Sequence, residues 1–257
     1  MRGNSHRPCL TKPTFWLGLL AGLWFTQAAF SQAQPITAFS KSSGEAIPAP
    51  WKVQPFPGSA KPISQFDIIS LDGVRVLRVV ADKSYGTLQH DLPRLAVGQG
   101  SKLSWRWRLD QPLRDADLRH KKGDDSPLKV CALFDMSTQN LGLFERGFLR
   151  AARSMSGQYI PAATLCYVWD HNLPVNTELP NAFTRRVRYV VLTSGDSQLK
   201  TWLPQERDLA NDFRRAFGEE TDTIPPLIGL ALGADADNTG GSSLGYVGDV
   251  TLTLAPD

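Results

Sequence analysis

The sequence contains few histidines and cysteines, the residues that build most zinc centres. Its 257 residues include four histidines and three cysteines. The histidines beyond the first 33 residues, His90, His120 and His171, are scattered and form no H-E-x-x-H pattern. Only two cysteines follow Cys9, and they lack the close spacing of zinc ligands, which argues against a zinc site.

Motifs of nucleotide-binding and nucleophilic enzymes are also missing. The chain has no P-loop and no G-x-G-x-x-G after a predicted strand. Residues 241–245 match G-x-S-x-G, but that pattern needs a strand-turn-helix context and a later histidine. A strand is predicted after it and the last histidine is His171, so the sequence argues against a serine hydrolase.

No surplus charge of one sign remains once the first 33 residues are set aside. The chain carries 28 Lys and Arg against 25 Asp and Glu, and the three surplus positive charges are Arg2, Arg7 and Lys12. No acidic residue precedes Glu45, so residues 34–257 carry 25 charges of each sign. Binding to nucleic acid or to an anionic membrane depends on surplus Lys and Arg, so we expect no nucleic-acid partner.

The chain has one long apolar run, and it lies near the N-terminus. Residues 15–25 form this run, after the three basic residues and before small residues at positions 28, 29, 31 and 33. This order predicts a secretory signal peptide over residues 1–33, cleaved after Ser31 or Ala33. The run is shorter than the ~20 residues of a membrane span, although an uncleaved anchor is the alternative. We therefore predict a periplasmic or secreted protein with no stable membrane anchor after cleavage.

Two cysteines, Cys131 and Cys166, remain after removal of the signal peptide. They lie in predicted strands at 128–135 and 163–169. If those strands are neighbours and both side chains face the same side, a disulfide is geometrically possible, and an exported chain permits it. Two buried thiols that pack as small hydrophobes are the alternative.

Alternating strand patterns predict the fold of residues 34–257. A hairpin is predicted from residues 66–71 and 74–80 across Asp72-Gly73, which favours a type I′ turn. Residues 101–109 place Leu103, Trp105, Trp107 and Leu109 on one face, so both tryptophans are predicted in the core. Further strands are predicted at 128–135, 163–169, 186–193, 198–203, 227–234 and 246–254.

Two segments with helical spacing interrupt the strands. Residues 141–153 and 206–217 are predicted helices, the second ended by Gly218. The first is basic and amphipathic, so it either covers an open end of the sheets or touches a membrane surface. The sequence therefore predicts one all-β domain, a jelly-roll-like β-sandwich of two antiparallel sheets with two short helical insertions.

Five short motifs follow one another along the chain. They are Trp105-x-Trp107, Gly123-Asp124-Asp125, Tyr167-Val168-Trp169, Asp212 with Phe217-Gly218, and Asp235-x-Asp237-Asn238-Thr239 followed by Gly248-Asp249. Their order resembles domain of unknown function family 3047, a set of exported bacterial proteins, over roughly residues 39–254. The family usually has an Arg a few residues after Gly-Asp-Asp, where this chain has Lys129. The resemblance implies a bacterial envelope location and no activity.

The two ends of the predicted domain are similar to the first and last strands of carbohydrate-binding jelly rolls. The similar segments are Pro50-Trp51 and residues 245–252. In many of those modules an acidic residue near the last strand helps to hold a structural calcium ion. Asp249 is the matching position, so the resemblance implies that Asp249 is a calcium ligand.

Acidic residues on a glycine-rich stretch suggest a cation site. Asp235, Asp237 and Asn238 lie within residues 235–241, and carboxylate and amide oxygens are the ligands that calcium prefers. We therefore predict a structural calcium site from Asp235, Asp237 and Asp249. The pattern does not predict an EF-hand, because Tyr246 stands where a bidentate Glu is needed. A turn in which the side chains bond nearby backbone, without metal, is the alternative.

The predicted ligand-binding set adds residues from two other segments. It consists of Asp124, Asp125, Trp169, Asp235, Asp237 and Asn238. Trp169 precedes a predicted loop, where a ring is available to stack on a sugar, with core packing as the alternative. Adjacent strand residues face opposite sides, so glycoside cleavage by Asp124 or Asp125 needs a partner such as Asp235 or Asp237. No catalytic residue is assigned.

Three functions remain compatible with the sequence. The first is an exported, non-catalytic domain that binds a glycan or another envelope ligand. The second is a structural or protein-interaction domain of the envelope, and the third is a polysaccharide-cleaving enzyme with paired carboxylates. Convergence of Asp124, Trp169, Asp235 and Asp237 on one concave surface would favour the first and third, whereas scattered positions would favour the second.

Overall fold

A computed structural model describes residues 1, 3, 32–34, 36–55, 60–139, 141–156 and 159–255. The predicted signal peptide therefore lies outside the described residues, apart from residues 1, 3, 32 and 33. Within the described part of the chain, no helix has the length and apolar character needed to cross a membrane.

The described chain is built mainly from fourteen strands and two α-helices. In chain order the strands are β1 Gln32–Gln34, β2 Lys52–Gln54, β3 Gln65–Leu71, β4 Val74–Asp82, β5 Tyr85–Leu95, β6 Lys102–Gln111, β7 Leu128–Phe134, β8 Ala163–Asp170, β9 Glu178–Pro180, β10 Val187–Ser194, β11 Leu203–Asp208, β12 Leu227–Asp235, β13 Ser242–Val247 and β14 Thr251–Leu254. The helices are α1 Leu143–Ser156 and α2 Leu209–Phe217. Short 3-10 turns lie at Phe39–Lys41 and Lys121–Gly123.

The strands form two seven-stranded sheets that pack as a jelly-roll-like β-sandwich. The first has the order β1-β14-β6-β13-β4-β3, with β11 also paired to β6, and the second has the order β2-β5-β12-β7-β8-β10-β9. The predicted fold class is confirmed, with one difference. Strands β8 and β10 are parallel, because the chain returns through residues 171–186 before β10 begins beside β8.

The predicted hairpin is confirmed and three other predicted element boundaries are wrong. Asp72 and Gly73 have positive φ angles of 53° and 77°, as a type I′ turn requires. The predicted strand at 198–203 lies instead at β11, so α2 begins at Leu209 rather than at residue 206. Asp208 caps this helix by accepting a hydrogen bond from the Asn211 backbone N–H at 3.0 Å. The predicted strand at 246–254 is divided into β13 and β14.

The apolar core lies between the sheets and continues onto the outer face of the second sheet. Trp105 and Trp107 are buried between the sheets, as predicted. Every residue of β7 is buried, because Leu118 and Leu173 from neighbouring loops cover its outer face. Residues that point outward from the second sheet are therefore shielded from water, which decides the character of the site described below.

Strands β7 and β8 are antiparallel neighbours and place the two cysteines opposite each other. Cys131 is in register with Cys166, and a disulfide with an S–S distance of 2.06 Å joins them. Both cysteines belong to the outer-face apolar cluster. The bridge therefore ties together two central strands of the second sheet.

Candidate functional site

Four of the predicted acidic residues meet at one end of the second sheet. Asp235 ends β12, and Asp124 and Asp125 precede β7. Because β12 and β7 are antiparallel, the end of one strand lies beside the start of the other. Carboxylate oxygens of Asp125, Asp235 and Asp237 lie within 4.8 Å of one another. We refer to Asp124, Asp125, Asp235 and Asp237 as the carboxylate cluster.

Asp125 holds the turn that follows β12. Its Oδ1 accepts hydrogen bonds from the Asn238 backbone N–H and Nδ2, both at 3.1 Å. Its Oδ2 accepts hydrogen bonds from the Thr239 backbone N–H and Oγ1, both at 2.6 Å. Asn238 also donates to the Asp124 backbone carbonyl. The predicted alternative of turn chemistry therefore describes Asp125 and Asn238, although the carboxylate comes from a distant segment.

Asp235 forms a buried ion pair with Lys129. The Lys129 ammonium donates to Asp235 Oδ2 at 2.9 Å, and each side chain is 6% exposed. The Ser126 backbone N–H donates to Asp235 Oδ1 at 2.8 Å. Burial raises the pKa of Asp235, and Lys129 opposes that rise. Burial alone would lower the pKa of Lys129, but Asp235, Tyr85 and Asp124 together outweigh burial and raise the pKa, so Lys129 remains protonated.

Asp124 and Asp237 each have one carboxylate oxygen that receives no hydrogen bond. Asn181 Nδ2 donates to Asp124 Oδ2 and the Lys61 ammonium contacts Asp237 Oδ2, whereas Oδ1 of each aspartate is buried without a partner. Burial, and then the negative charge of Asp235, raises the pKa of Asp124 from 3.8 to about 6. Most buried polar atoms in proteins are hydrogen-bonded, so two such oxygens in one cluster need an explanation.

Two predicted site residues do not join the carboxylate cluster. Asp249 follows the far end of β13, where its Oδ1 accepts a hydrogen bond from the Ser40 backbone N–H at 2.9 Å. The grouping of Asp249 with Asp235 and Asp237 is therefore corrected, and Asp125 takes its place. Trp169 is 1% exposed and its ring packs near Trp107, so it offers no free face to a ligand. The Gly195 carbonyl accepts its indole N–H.

An open groove lies on the outer face of the first sheet, away from the carboxylate cluster. Its volume is about 650 Å³. Strands β4, β6, β11 and β14 line it together with residues from two loops, and we refer to it as the arginine groove. Its lining residues are Ser40, Val74, Arg75, Ser104, Trp105, Arg106, Pro204, Gln205, Glu206, Asp249 and Thr251.

Arg106 is the notable side chain of the arginine groove. Its guanidinium lies 4.8 Å from the centre of the Trp202 ring, and the Trp202 indole N–H donates to Asp72 at 3.0 Å. No described residue accepts a hydrogen bond from this guanidinium. A Cβ on Gly248 would lie 2.7 Å from Arg106 Cγ, so glycine leaves room for the arginine stem. Two features of the sequence could have pointed to this groove. They are an arginine on the polar face of residues 101–109 and the Gly248-Asp249 motif near the end of the chain.

The chain is similar to several solved structures at low sequence identity and with low TM-scores. A CBM22-1-CBM22-2 tandem domain from Paenibacillus barcinonensis Xyn10C is 14% identical with a TM-score of 0.38, covering 89% of this chain and 52% of that one, so the chain spans about half of it. The xylan-binding module CBM15 is 7% identical with a TM-score of 0.36, covering 89% and 99%. The xyloglucanase domain of NopAA from Sinorhizobium fredii is 10% identical with a TM-score of 0.41, covering 80% and 98%.

A family model covers most of the sequence. No curated protein matches the chain. The family model described as "Protein of unknown function (DUF3047)" matches residues 49–251, which include the carboxylate cluster, Arg106 and Gly248. The predicted resemblance is confirmed, and the chain belongs to this family.

Proposed function

We propose that the protein is an exported, non-catalytic binding domain and that the arginine groove holds its ligand, a glycan of the cell envelope or its surroundings. The observation that carries this proposal is the Arg106 guanidinium. It is held over Trp202 in an open groove, and no described residue accepts its hydrogen bonds. A positioned group with unused donors binds a ligand without the entropic cost of ordering a long side chain.

The chemistry of the groove supports a ligand rich in hydroxyl groups. The groove lining provides guanidinium and amide donors from Arg75, Arg106 and Gln205 and hydroxyls from Ser104 and Thr251. Hydroxyl side chains both donate and accept, and guanidinium groups only donate. This mixture complements sugar hydroxyls and ring oxygens, which also donate and accept. The lining also includes Val74, Trp105 and Pro204, so apolar contacts would accompany these hydrogen bonds.

Two acidic residues of the carboxylate cluster and two of the groove are held by protein partners, and this supports a non-catalytic role for these four. Glycoside cleavage places two carboxyl groups on either side of a sugar bond, roughly 5–9.5 Å apart. In the carboxylate cluster, Asp125 and Asp235 are buried and accept hydrogen bonds from protein donors. In the groove, Glu206 pairs with Lys102 at 2.6 Å and Asp249 binds Ser40. These carboxylates already have protein partners.

A polymer-binding assay tests the proposal. The full-length protein, exported by its own host, would be incubated with insoluble peptidoglycan and with a panel of bacterial and plant polysaccharides. We expect saturable pelleting with at least one polymer and at least a tenfold weaker affinity for Arg106→Gln. Arg114→Gln is the matched control, because Arg114 is an exposed arginine paired with Asp196 outside the groove.

The other outcomes separate the alternative functions. Absence of pelleting with every polymer would favour a structural or protein-interaction role. Release of soluble sugar from a bound polymer would favour a polysaccharide-cleaving enzyme. Equal loss of affinity in the Arg106→Gln and Arg114→Gln variants would place the binding surface outside the groove.

A further inference from the structure

The charges in and around the carboxylate cluster do not balance. Four carboxylates lie together, and the cationic side chains in contact with them are Lys129, on Asp235, and Lys61, on Asp237. With all four acids ionised, these contacts leave two negative charges uncompensated. Burying an unpaired charge is strongly unfavourable, because protein is a poorer solvent for ions than water.

The carboxylate oxygens without a hydrogen-bond donor belong to Asp237 and Asp124. Asp237 has a side chain that is 6% exposed, and its Oδ1 has no hydrogen-bond donor. Asp124 is 3% exposed, and its Oδ1 also lacks a donor. Asp125, in contrast, accepts four hydrogen bonds from Asn238 and Thr239. Oxygen ligands are therefore left over at the same place as the excess negative charge.

We propose that the carboxylate cluster binds one divalent cation, calcium, with Asp237 as its principal ligand and Asp235 and Asp125 beside it. A charge of +2 offsets the net charge of −2 that Lys61 and Lys129 leave on the four carboxylates. The donors are all oxygens, with no histidine or sulfur, and this set suits calcium better than a transition metal. Their irregular arrangement on a turn and two strand ends suits calcium better than magnesium, which demands near-ideal octahedral geometry.

The cation would join two segments that are distant in sequence. Asp125 precedes β7, and Asp235 and Asp237 lie at the end of β12. Calcium would therefore stabilise this end of the second sheet. The inference is independent of the proposed function, because the arginine groove lies on the other sheet.

Thermal melting of the metal-stripped protein tests the inference. We expect calcium chloride at about 1 mM to raise the melting temperature by about 5 °C or more, and magnesium to raise it less. Asp237→Asn should abolish the calcium response. Asp249→Asn is the matched control, since it removes an acidic side chain outside the cluster and should keep the full response.

Terbium luminescence provides a measurement that needs no variant. The Tyr85 ring lies 5.1 Å from the Lys129 ammonium, and its charge interactions include Asp235 and Asp237. Terbium bound in the cluster should therefore be sensitised by tyrosine excitation and displaced by calcium. A melting temperature indifferent to calcium, together with terbium emission that calcium does not quench, would overturn the inference. Loss of the response in Asp249→Asn alone would move the site to Asp249.

Discussion

The carboxylate cluster and the arginine groove use charged residues in opposite ways. The cluster lies at a shielded end of the second sheet, where Lys129 and Asp235 are each 6% exposed and paired. The groove lies on the open face of the first sheet, where the Arg106 guanidinium stacks on Trp202 and has no described acceptor. Burial makes unpaired charge costly, whereas water solvates an exposed guanidinium until a ligand replaces it.

Mutation should therefore affect stability in the carboxylate cluster and ligand affinity in the arginine groove. Removing one member of a buried ion pair in the cluster leaves its partner buried and alone, so the free energy of unfolding should fall. A charge removed from the groove leaves water in its place, so stability should change little while ligand affinity falls.

The largest effect is expected at Lys129. Lys129→Met removes the cation that pairs with Asp235 and should lower the free energy of unfolding by about 3–5 kcal/mol. Lys52→Met is the matched control, because Lys52 and Asp91 form an ion pair with side chains 51% and 55% exposed. That variant should cost less than about 1 kcal/mol. Urea unfolding measures both, and equal costs would contradict the division between shielded and open charge.

The next largest effect on stability is expected at the Cys131–Cys166 disulfide. Replacing Cys131 and Cys166 by alanine should lower the free energy of unfolding by about 3–4 kcal/mol, because a bridge across 35 residues restricts the unfolded chain. Mass spectrometry after thiol alkylation checks the bridge directly. Two alkylated cysteines in the unreduced protein would show that the bridge is absent.

Asp124 should give the cluster a distinct pH dependence. Its pKa is raised to about 6 from 3.8, so its contribution to stability is full below pH 3.8 and is lost as the pH rises through about 6. Asp124→Asn stays neutral. Between pH 4 and pH 7 it should therefore gain roughly 2–3 kcal/mol relative to the wild type.

Melting curves in EDTA at several pH values measure this difference. Asp117→Asn is the control, since Arg119 lowers the pKa of Asp117 to about 2 and the carboxyl group is ionised throughout the range from pH 5 to pH 7. The difference between Asp117→Asn and the wild type should be flat over that range. A flat difference for Asp124→Asn as well would contradict the raised pKa of Asp124.

Local patterns in the sequence predicted the hairpin and the core, because their causes are local. Asp72-Gly73 adopts positive φ angles that few residue pairs accept, and the alternation of residues 101–109 fixes which face is buried. Strand β5 was missed. It contains Pro93, and proline is rare within strands. Its alternation of exposed and buried positions can be recognised only when the residues that cover the second sheet are known.

The composition of the site depended on strand pairing that the sequence does not reveal. Asp235 and Lys129 are 106 residues apart and meet because β12 pairs with β7. Asp249 was grouped with Asp235 on spacing and resemblance, but β13 carries the chain to the other end of the sandwich before Asp249. Alternation puts Arg106 on the face opposite Trp105 and Trp107, but it does not distinguish open surface from a groove.

The smallest effect on stability is expected at Arg106, where the effect on binding is largest. Arg106→Gln should change the free energy of unfolding by less than about 0.5 kcal/mol, because the guanidinium has no described hydrogen-bond acceptor. Arg106→Lys keeps the charge but loses the planar set of donors, so it should not restore the affinity for a polymer bound by the wild type.

Gly248→Ala provides a second way to disturb the groove without removing any polar group. Its Cβ would lie 2.7 Å from Arg106 Cγ, so the arginine stem must move and the guanidinium would leave its position over Trp202. Pelleting and melting assays should show weaker binding for this variant with nearly unchanged stability. Full affinity in Gly248→Ala, with affinity lost in Arg106→Gln, would mean that the ligand needs the charge of Arg106 and not its fixed position.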